Sequence, residues 1–332
     1  MARKTGLVGG FLGRVSSLRP RLDTRTVLEA STLCMALVLA VVFRVLKVRW
    51  GPYMDAYDPL FQYRVTEYVV KNGYAAWFTW HDTLSWYPMG RDIAHSSFPG
   101  VPFAAAFIYQ LLRFFGFNVS VFNVCLYFPV LMGVITCIVV YFLGKDLGGS
   151  SVGLFAAIFT AISQAFISRT ALGFFDTENI GIFGMAAISL FFLRSTREEG
   201  PTWEKVAYAV AAGLCLGLVF ASWGASRYVV GLLALFMVAS LVTNIYTRDY
   251  LVSFGITMGV GMLLGTQVPK LGVEFLFSTD NIMFIAILLV VVVYEAARER
   301  IEAGRLLLMA VGLLVVLAAG VYGLGALGVI DP

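Results

Sequence analysis

Two short acidic segments hold the residues of this chain that could do chemistry. The first reads Asp55-Ala56-Tyr57-Asp58-Pro59, and the second reads Asp176-Thr177-Glu178. In an extended turn, side chains two residues apart can both offer oxygen atoms to one hard cation, and Mg²⁺ and Mn²⁺ prefer such ligands. One carboxylate from each segment would give a metal site between two elements, where a divalent ion could stabilise a departing phosphate.

Helix capping is the competing interpretation of both segments. Asp58-Pro59 is a favourable helix start, with Asp at the N-cap and Pro in the first turn, and Asp176 could cap a helix that begins near residue 179. Arg169 precedes Asp176 closely and could pair with the carboxylates or bind a phosphate. An interfacial arginine would have the same sequence signature, so the spacing alone leaves these interpretations open.

Membrane-spanning helices must position these segments. Apolar residues make up 59% of the chain and charged residues 13%, whereas a soluble domain carries about a quarter charged residues. The apolar runs are continuous and suit helices of ~20 residues rather than the alternating strands of a barrel. We therefore predict an all-α integral membrane protein with about nine spans. They lie at 27–46, 120–144, 151–167, 179–195, 205–221, 226–244, 251–266, 281–296 and 306–327.

The positions of Lys and Arg predict the orientation of these spans, because short cytoplasmic loops are enriched in both. The residues assigned to the cytoplasmic side are Arg3, Lys4, Arg14, Arg19, Arg21, Arg25, Lys145, Arg194, Arg197, Lys205, Arg248, Arg298, Arg300 and Arg305. Residues 1–26 then form a cytoplasmic basic tail, and both acidic segments face outward from the cell membrane. Arg44, Lys47 and Arg49 disagree, because they lie at the outer end of the first span. The net charge of +4 follows from this topology, and we expect no nucleic-acid partner.

Residues 47–119 are predicted to form one large extracytoplasmic loop rather than a plain linker. Within it, 60–72 has the pattern of an amphipathic helix. Residues 99–116 are apolar enough to span, but a span there would invert every later loop. We therefore expect 99–116 to lie in or dip into the membrane interface.

Three sequence blocks carry a resemblance to a known family. They are Asp58-Pro59-Leu60-Phe61-Gln62-Tyr63-Arg64, then Trp86-Tyr87-Pro88-Met89-Gly90-Arg91 followed by Phe98-Pro99-Gly100, and finally the run from Ser168-Arg169 to Asp176-Thr177-Glu178. A later Ser222-Trp223-Gly224 also matches. In this order the blocks resemble the catalytic subunit of oligosaccharyltransferase, most closely the archaeal-type dolichyl-phosphooligosaccharide–protein glycotransferases.

The resemblance implies a GT-C-type transmembrane domain and a glycosyltransferase activity. Such enzymes transfer a lipid-linked oligosaccharide from a polyprenyl (dolichyl) phosphate or pyrophosphate carrier to Asn in N-x-S/T sequons of an acceptor protein. It implies that Asp58 binds the metal and faces the acceptor amide, that Asp176 and Glu178 are further metal ligands, and that Arg169 is a supporting active-site cation. The implied cofactor is Mn²⁺ or Mg²⁺, and the implied partners include membrane lipid.

The resemblance is incomplete at the C-terminal end. We assign 27–332 to the GT-C-like transmembrane domain and find neither the family's later outer-loop Glu motif nor its W-W-D-Y-G motif, so we expect the C-terminal soluble domain to be absent. A truncated product, a fragment, or a split enzyme completed by a second polypeptide all fit. The alternatives are another GT-C glycosyltransferase that uses a polyprenyl-phosphate sugar, a non-catalytic fragment or subunit, and a transporter, although a transporter would carry ionisable residues within its spans.

Overall fold

The computed structural model describes residues 23–54 and 56–301, together with scattered residues between 304 and 323. Most of the predicted basic tail and much of the predicted span at 306–327 therefore lie outside the described residues. The remaining predicted spans fall on helices, because each apolar run is long enough to form one and to bury it against its neighbours.

The helices, in chain order, are α1 (Thr24–Val45), α2 (Tyr57–Asn72), α3 (Tyr74–Trp77), α4 (Ile93–Ser96), α5 (Gly100–Phe114), α6 (Val121–Ile162), α7 (Gln164–Thr170), α8 (Glu178–Ser195), α9 (Thr202–Phe220), α10 (Arg227–Val242), α11 (Arg248–Gly265) and α12 (Thr279–Ala297). Between α3 and α4 two short strands, β1 (His81–Asp82) and β2 (Arg91–Asp92), pair antiparallel. Turns of 3₁₀ helix cover Leu46–Trp50, Gly224–Ser226 and Val273–Phe277.

The long helix α6 contains the two spans predicted at 120–144 and 151–167. Its backbone leaves the helical region at Gly148 and Gly149, where Gly149 has a φ of 85°. The chain folds back at this break, since Gly144 on one side lies against Gly153 on the other. The second half ends at Ile162, and after Ser163 the chain continues as the separate short helix α7 to Thr170.

Within the described residues, four helices are long and apolar enough to cross a membrane by length and composition. They are Thr24–Trp50, Val121–Ile162, Thr202–Phe220 and Gly224–Val242. These helices and the fold make the chain a multi-pass membrane protein. The count of nine spans and the assignment of domains stay predictions.

The segment between α1 and α6 folds into a small helical layer. The amphipathic helix expected at 60–72 is confirmed as α2, and it packs on α5 through a cluster that includes Val65, Val69, Trp77 and Ala106. Helix α5 has 15 residues and at ~1.5 Å per residue reaches about 22 Å, short of the ~30 Å hydrocarbon core. Its length is consistent with the expected interfacial position, which stays a prediction.

Two cores hold the bundle together. Helices α8 to α12 share one large apolar core, in which Leu216, Phe220, Phe254 and Val291 are almost wholly buried. Helix α1 packs along α6 through Ala36 and Ala40, both fully buried. We call one end of this bundle the acidic end. It consists of residues 46–119, 163–178, 221–226 and 266–278.

Candidate functional site at the acidic end

Asp58 lies in the first turn of α2 and does not cap it. The helix begins at Tyr57 after Ala56, and no side chain makes a capping hydrogen bond there. The capping interpretation of Asp58 is therefore wrong, because the helix starts earlier than Pro59 suggested. Asp58 is exposed, and its charge near a helix N-terminus is favourable. Asp55 lies outside the described residues.

Asp176 lies near the end of the loop 171–177 between α7 and α8 and is 9% exposed. One of its carboxylate oxygens, Oδ1, accepts a hydrogen bond from the Thr177 N–H at 2.7 Å, while its own N–H donates to Asn179 Oδ1 at 3.2 Å. Thr177 occupies the N-cap position of α8, and no side chain makes a capping hydrogen bond. The capping interpretation of Asp176 is therefore also wrong.

The two acidic segments approach each other at Gly173. Its N–H donates to Leu126 O at 3.0 Å, and its φ of +81° is in the left-handed region, which glycine adopts without steric cost. A β-carbon at this position would overlap the main-chain oxygen of Tyr53. The loop that carries Asp176 thus passes directly over the segment that leads into Asp58.

Electrostatics connect the three predicted metal ligands. Burial, together with the negative charges of Glu178 and Asp58, raises the pKa of Asp176 to about 6, against hydrogen bonds from Thr177 that lower it. Desolvation favours the protonated acid, and like charges act in the same direction. Glu178 and Asp58 therefore lie close enough for their negative charges to act on Asp176.

Arg169 pairs with Glu178, as the sequence allowed. Its Nη1 lies 3.2 Å from Glu178 Oε1, and its guanidinium carbon lies 5.5 Å from the centre of the Phe174 ring. Asn179 Nδ2 donates to the Arg169 main-chain oxygen at 2.7 Å. Since the Arg169 side chain is still 54% exposed, its remaining donors can reach a ligand.

Arg91 is a further cation of this site that was not selected from the sequence. Its guanidinium carbon lies 4.3 Å from the Phe61 ring centre and 4.6 Å from that of Trp86, and its Nε and Nη2 donate to Ser96 at 2.8 and 3.0 Å. Burial lowers its pKa, and the charge of Asp58 opposes that change. Arg91 closes the W-Y-P-M-G-R block, so the motif was a signal that could have found it.

A cavity of ≈ 350 Å³ opens next to Phe98 and Lys270. It lies between the Ser222-Trp223-Gly224 turn and the 266–278 loop, and its polar and charged lining comprises Ser226, Arg227, Lys270, Ser278 and Asn281. Lys270 Nζ lies 4.0 Å from the centre of the Phe98 ring. Burial lowers the pKa of Lys270, and the neighbouring charge of Arg91 lowers it further. Arg91 is therefore close enough to interact electrostatically with Lys270, which lines the cavity, and with Asp58.

The donor atoms suit a hard divalent cation, although the carboxylates do not form a preassembled coordination site. Among the residues that the structure describes, no three His, Cys, Asp or Glu side chains form a group that could hold a metal. The available ligands are carboxylate oxygens, which Mg²⁺ and Mn²⁺ prefer, and burial together with repulsion from Glu178 and Asp58 raises the pKa of Asp176. A positive ion would relieve that repulsion, so Asp58, Asp176 and Glu178 remain its candidate ligands.

Comparison with known proteins identifies sequence relatives over almost the whole chain. A family model described as "Oligosaccharyl transferase STT3, N-terminal" matches residues 26–330. The STT3B subunit of Arabidopsis thaliana dolichyl-diphosphooligosaccharide–protein glycosyltransferase is 28% identical over 296 residues, which is 89% of this chain and 40% of that protein. The Saccharomyces cerevisiae STT3 subunit is 27% identical, covering 86% of this chain and 40% of its own length. The chain thus spans about 40% of these relatives.

Solved structures share the fold at lower identity. The oligosaccharyltransferase of Archaeoglobus fulgidus, crystallised with Zn and sulfate, aligns with a TM-score of 0.69 and 20% identity over 89% of this chain and 40% of that one. The same organism's AglB, with an inhibitory peptide and a dolichol-phosphate, aligns with a TM-score of 0.67 and 18% identity over 92% of this chain and 39% of that one. The fold predicted from the three sequence blocks is confirmed.

Proposed function

Since this chain belongs to the STT3 family of oligosaccharyltransferases, we propose that it forms the metal-binding and carrier-binding part of such an enzyme. The reaction would transfer a lipid-linked oligosaccharide from a dolichyl or other polyprenyl phosphate or pyrophosphate to Asn in an N-x-S/T sequon. The observation that carries this proposal is the grouping of charged residues around the buried Asp176. The charges of Glu178 and Asp58 act on Asp176, and Glu178 forms an ion pair with Arg169.

Asp58, Asp176 and Glu178 would hold the divalent ion, Mn²⁺ or Mg²⁺. When bound, such an ion stabilises negative charge on a leaving phosphate. Asp176 is buried in a loop braced by Leu126 and Asn179, so its position is fixed before any ion arrives. The family relative crystallised with Zn and sulfate supports a cation and an anion in proteins of this fold.

The basic cavity is the candidate site for the phosphate of the carrier. Lys270 and Arg227 line it, and Arg91 lies near enough to lower the pKa of Lys270. Two adjacent cations are costly in a partly buried place unless an anion neutralises them. A phosphate bound there would offset the charges of Lys270 and Arg91, which suits a leaving group that gains negative charge.

Asp58 is the candidate partner of the acceptor amide. A carboxamide nitrogen is a poor nucleophile because its lone pair is delocalised, and a carboxylate that accepts hydrogen bonds from its N–H groups could weaken that delocalisation. Asp58 is exposed at the start of α2, so an extended peptide could reach it. Sequon recognition would come from parts of the relatives that this chain does not span, supplied by a second polypeptide or by further chain.

The orientation that we propose places the acidic end outside the cytoplasm in the cell membrane. Basic residues gather at the opposite end of the bundle, where Arg194 and Arg197 pair with Asp146 at 2.6 and 2.8 Å and Lys205 pairs with Asp249 at 2.5 Å. This asymmetry supports a cytoplasmic location for that end. We place 27–332 in one transmembrane domain with the loop 47–119 outside.

The decisive experiment is transfer of a native lipid-linked glycan to a fluorescent N-x-T peptide. Purified chain in detergent would be assayed with Mn²⁺, alone and with the remaining part of a relative supplied in trans. We expect transfer in the complemented reaction, with loss in Asp176→Asn and retention in Glu67→Gln, an exposed carboxylate on α2. Absence of transfer from the complemented wild-type chain, with a relative as positive control, would refute the proposed function.

A further inference from the structure

Arg44 is a charged residue buried completely inside the protein at the end of α1. Its exposed fraction is 0%, and α1 is otherwise almost wholly apolar in this region. A buried charge in a spanning helix is costly unless neighbouring groups satisfy it. The sequence had identified Arg44 only as a residue that disagrees with the orientation of the first span.

The Arg44 side chain joins three helices. Its Nε donates to Thr170 Oγ1 on α7 at 2.8 Å. Its Nη1 donates to the main-chain oxygens of Ala40 at 3.0 Å and Ala161 at 3.2 Å. The guanidinium carbon lies 4.8 Å from the centre of the Phe166 ring. Its Nη2, in the described part of the chain, has no hydrogen-bond partner.

The Arg44 main chain is hydrogen-bonded to the start of the loop 171–177, which carries Asp176. Its main-chain oxygen accepts the N–H of Leu172 at 3.0 Å, and Leu172 immediately precedes Gly173, which rests on Tyr53. Space for the guanidinium comes from Gly133 on α6, because a β-carbon there would overlap Arg44 Nε. One residue therefore connects α1, α6, α7 and the loop 171–177.

We propose that Arg44 is a positioning residue that fixes the loop 171–177, so that Asp176 and Glu178 face Asp58. Arg44 contacts neither a carboxylate of the site nor the cavity. It acts through its hydrogen bonds with Thr170, which precedes the loop 171–177, and with Leu172 near the start of that loop. This also gives a reason for a positive charge at the outer end of the first span. The metal part of the inference rests on the proposed function, whereas the positioning of the loop does not.

The test uses Thr170, because replacing Arg44 itself could prevent folding. Thr170→Val keeps the shape of the side chain and removes the acceptor of Arg44 Nε, and Thr170→Ser restores it. Thr136→Val is the matched control: Thr136 is 1% exposed and its Oγ1 donates to Met132 O four residues back, as Thr170 Oγ1 donates to Phe166 O. The control thus loses the same kind of bond without affecting an arginine.

The first measurement is amide hydrogen exchange of the metal-free chain in detergent. We expect Thr170→Val to speed exchange in residues 171–177 by about tenfold or more, since an orphaned buried donor favours local opening. Thr170→Ser and Thr136→Val should exchange there as the wild type does. Unchanged exchange in Thr170→Val, or an increase spread evenly over the whole chain, would overturn the positioning role.

The second measurement is titration of the same variants with Mn²⁺ alone. We expect Thr170→Val to weaken binding by ~10-fold or more, as is typical when a residue supporting metal ligands is lost, and Thr170→Ser to restore it. Unchanged Mn²⁺ affinity in Thr170→Val would overturn the link to the carboxylates. If the wild-type chain binds no Mn²⁺, the metal part of the proposed function fails, and the exchange result still decides the role of Arg44.

Discussion

Replacing Asp82 should loosen the layer that carries Asp58. Asp82 is 2% exposed, and its two oxygens bind Arg64 of α2 at 2.9 and 2.7 Å. It also accepts the N–H of Leu84 at 3.1 Å and the hydroxyl of Ser85 at 2.6 Å. These bonds tie α2 to β1, so Asp82→Asn exchanges a charged four-bond acceptor for a neutral one.

The size of this effect follows from the pKa of Asp82. Its hydrogen bonds with Arg64, Ser85 and Leu84 lower the pKa from 3.8 to about 2, against the effect of burial. One pKa unit corresponds to about 1.4 kcal/mol, so the full shift corresponds to roughly 2 kcal/mol. Because Arg64 is 41% exposed, solvent screens part of the interaction, and we expect a loss of about 1–2 kcal/mol.

The pH dependence has a definite sign. The pKa of Asp82 is lower in the folded state, so its contribution is fully present above the unfolded value near 4 and is lost as pH falls towards about 2. At pH 7 the carboxylate is fully charged and the contribution is complete. Acidification to about pH 3 should therefore destabilise the wild type more than it destabilises Asp82→Asn.

Amide hydrogen exchange of residues 78–96 at pH 7 is the assay. We expect exchange in Asp82→Asn to be faster by about five- to thirtyfold, while Glu67→Gln should match the wild type. Glu67 forms an exposed pair with Lys71 at 3.2 Å, and such pairs contribute little. Equal exchange in Asp82→Asn and the wild type would refute the reasoning, because the interaction between Arg64 and Asp82 would then contribute nothing to local stability.

Three further predictions concern the loop, the cavity and the opposite end of the bundle. Gly173→Ala should raise exchange in the loop 171–177 and weaken Mn²⁺ binding by ~10-fold, since its β-carbon would overlap Tyr53; binding as tight as in the wild type would contradict the close approach. Lys270→Gln should weaken retention of a polyprenyl phosphate in detergent by roughly tenfold, in line with the loss of one charged hydrogen bond. Lys270→Arg should restore it, and equal retention in all three would remove Lys270 from the site. Asp146→Asn should lower the melting temperature in detergent by a few degrees, equivalent to about 1–2 kcal/mol, because Arg194 and Arg197 both lose their shared partner; an unchanged melting temperature would show that this cluster adds no stability.

The sequence alone predicted the helices and the chemistry of the acidic end. Apolar runs long enough to span a membrane must satisfy their backbone groups internally, and a helix does so within one run. The break near Gly148 and Gly149 was foreseen as the gap between two spans, because glycines and polar residues interrupt the apolar pattern there. The carboxylates and Arg169 were recognisable because charges are rare in such a chain.

The tertiary structure decided which of these side chains are buried and which groups they contact. Local signals predicted the start of α8 to within one residue but placed the start of α2 too late, and they assigned capping roles to Asp58 and Asp176 that neither residue has in the packed bundle. The bond between Arg44 and Thr170 joins residues 126 positions apart, and no local pattern encodes such a distance. Burial sets the pKa of Asp176 and the role of Arg44, and burial is a property of the assembled helices rather than of any one segment.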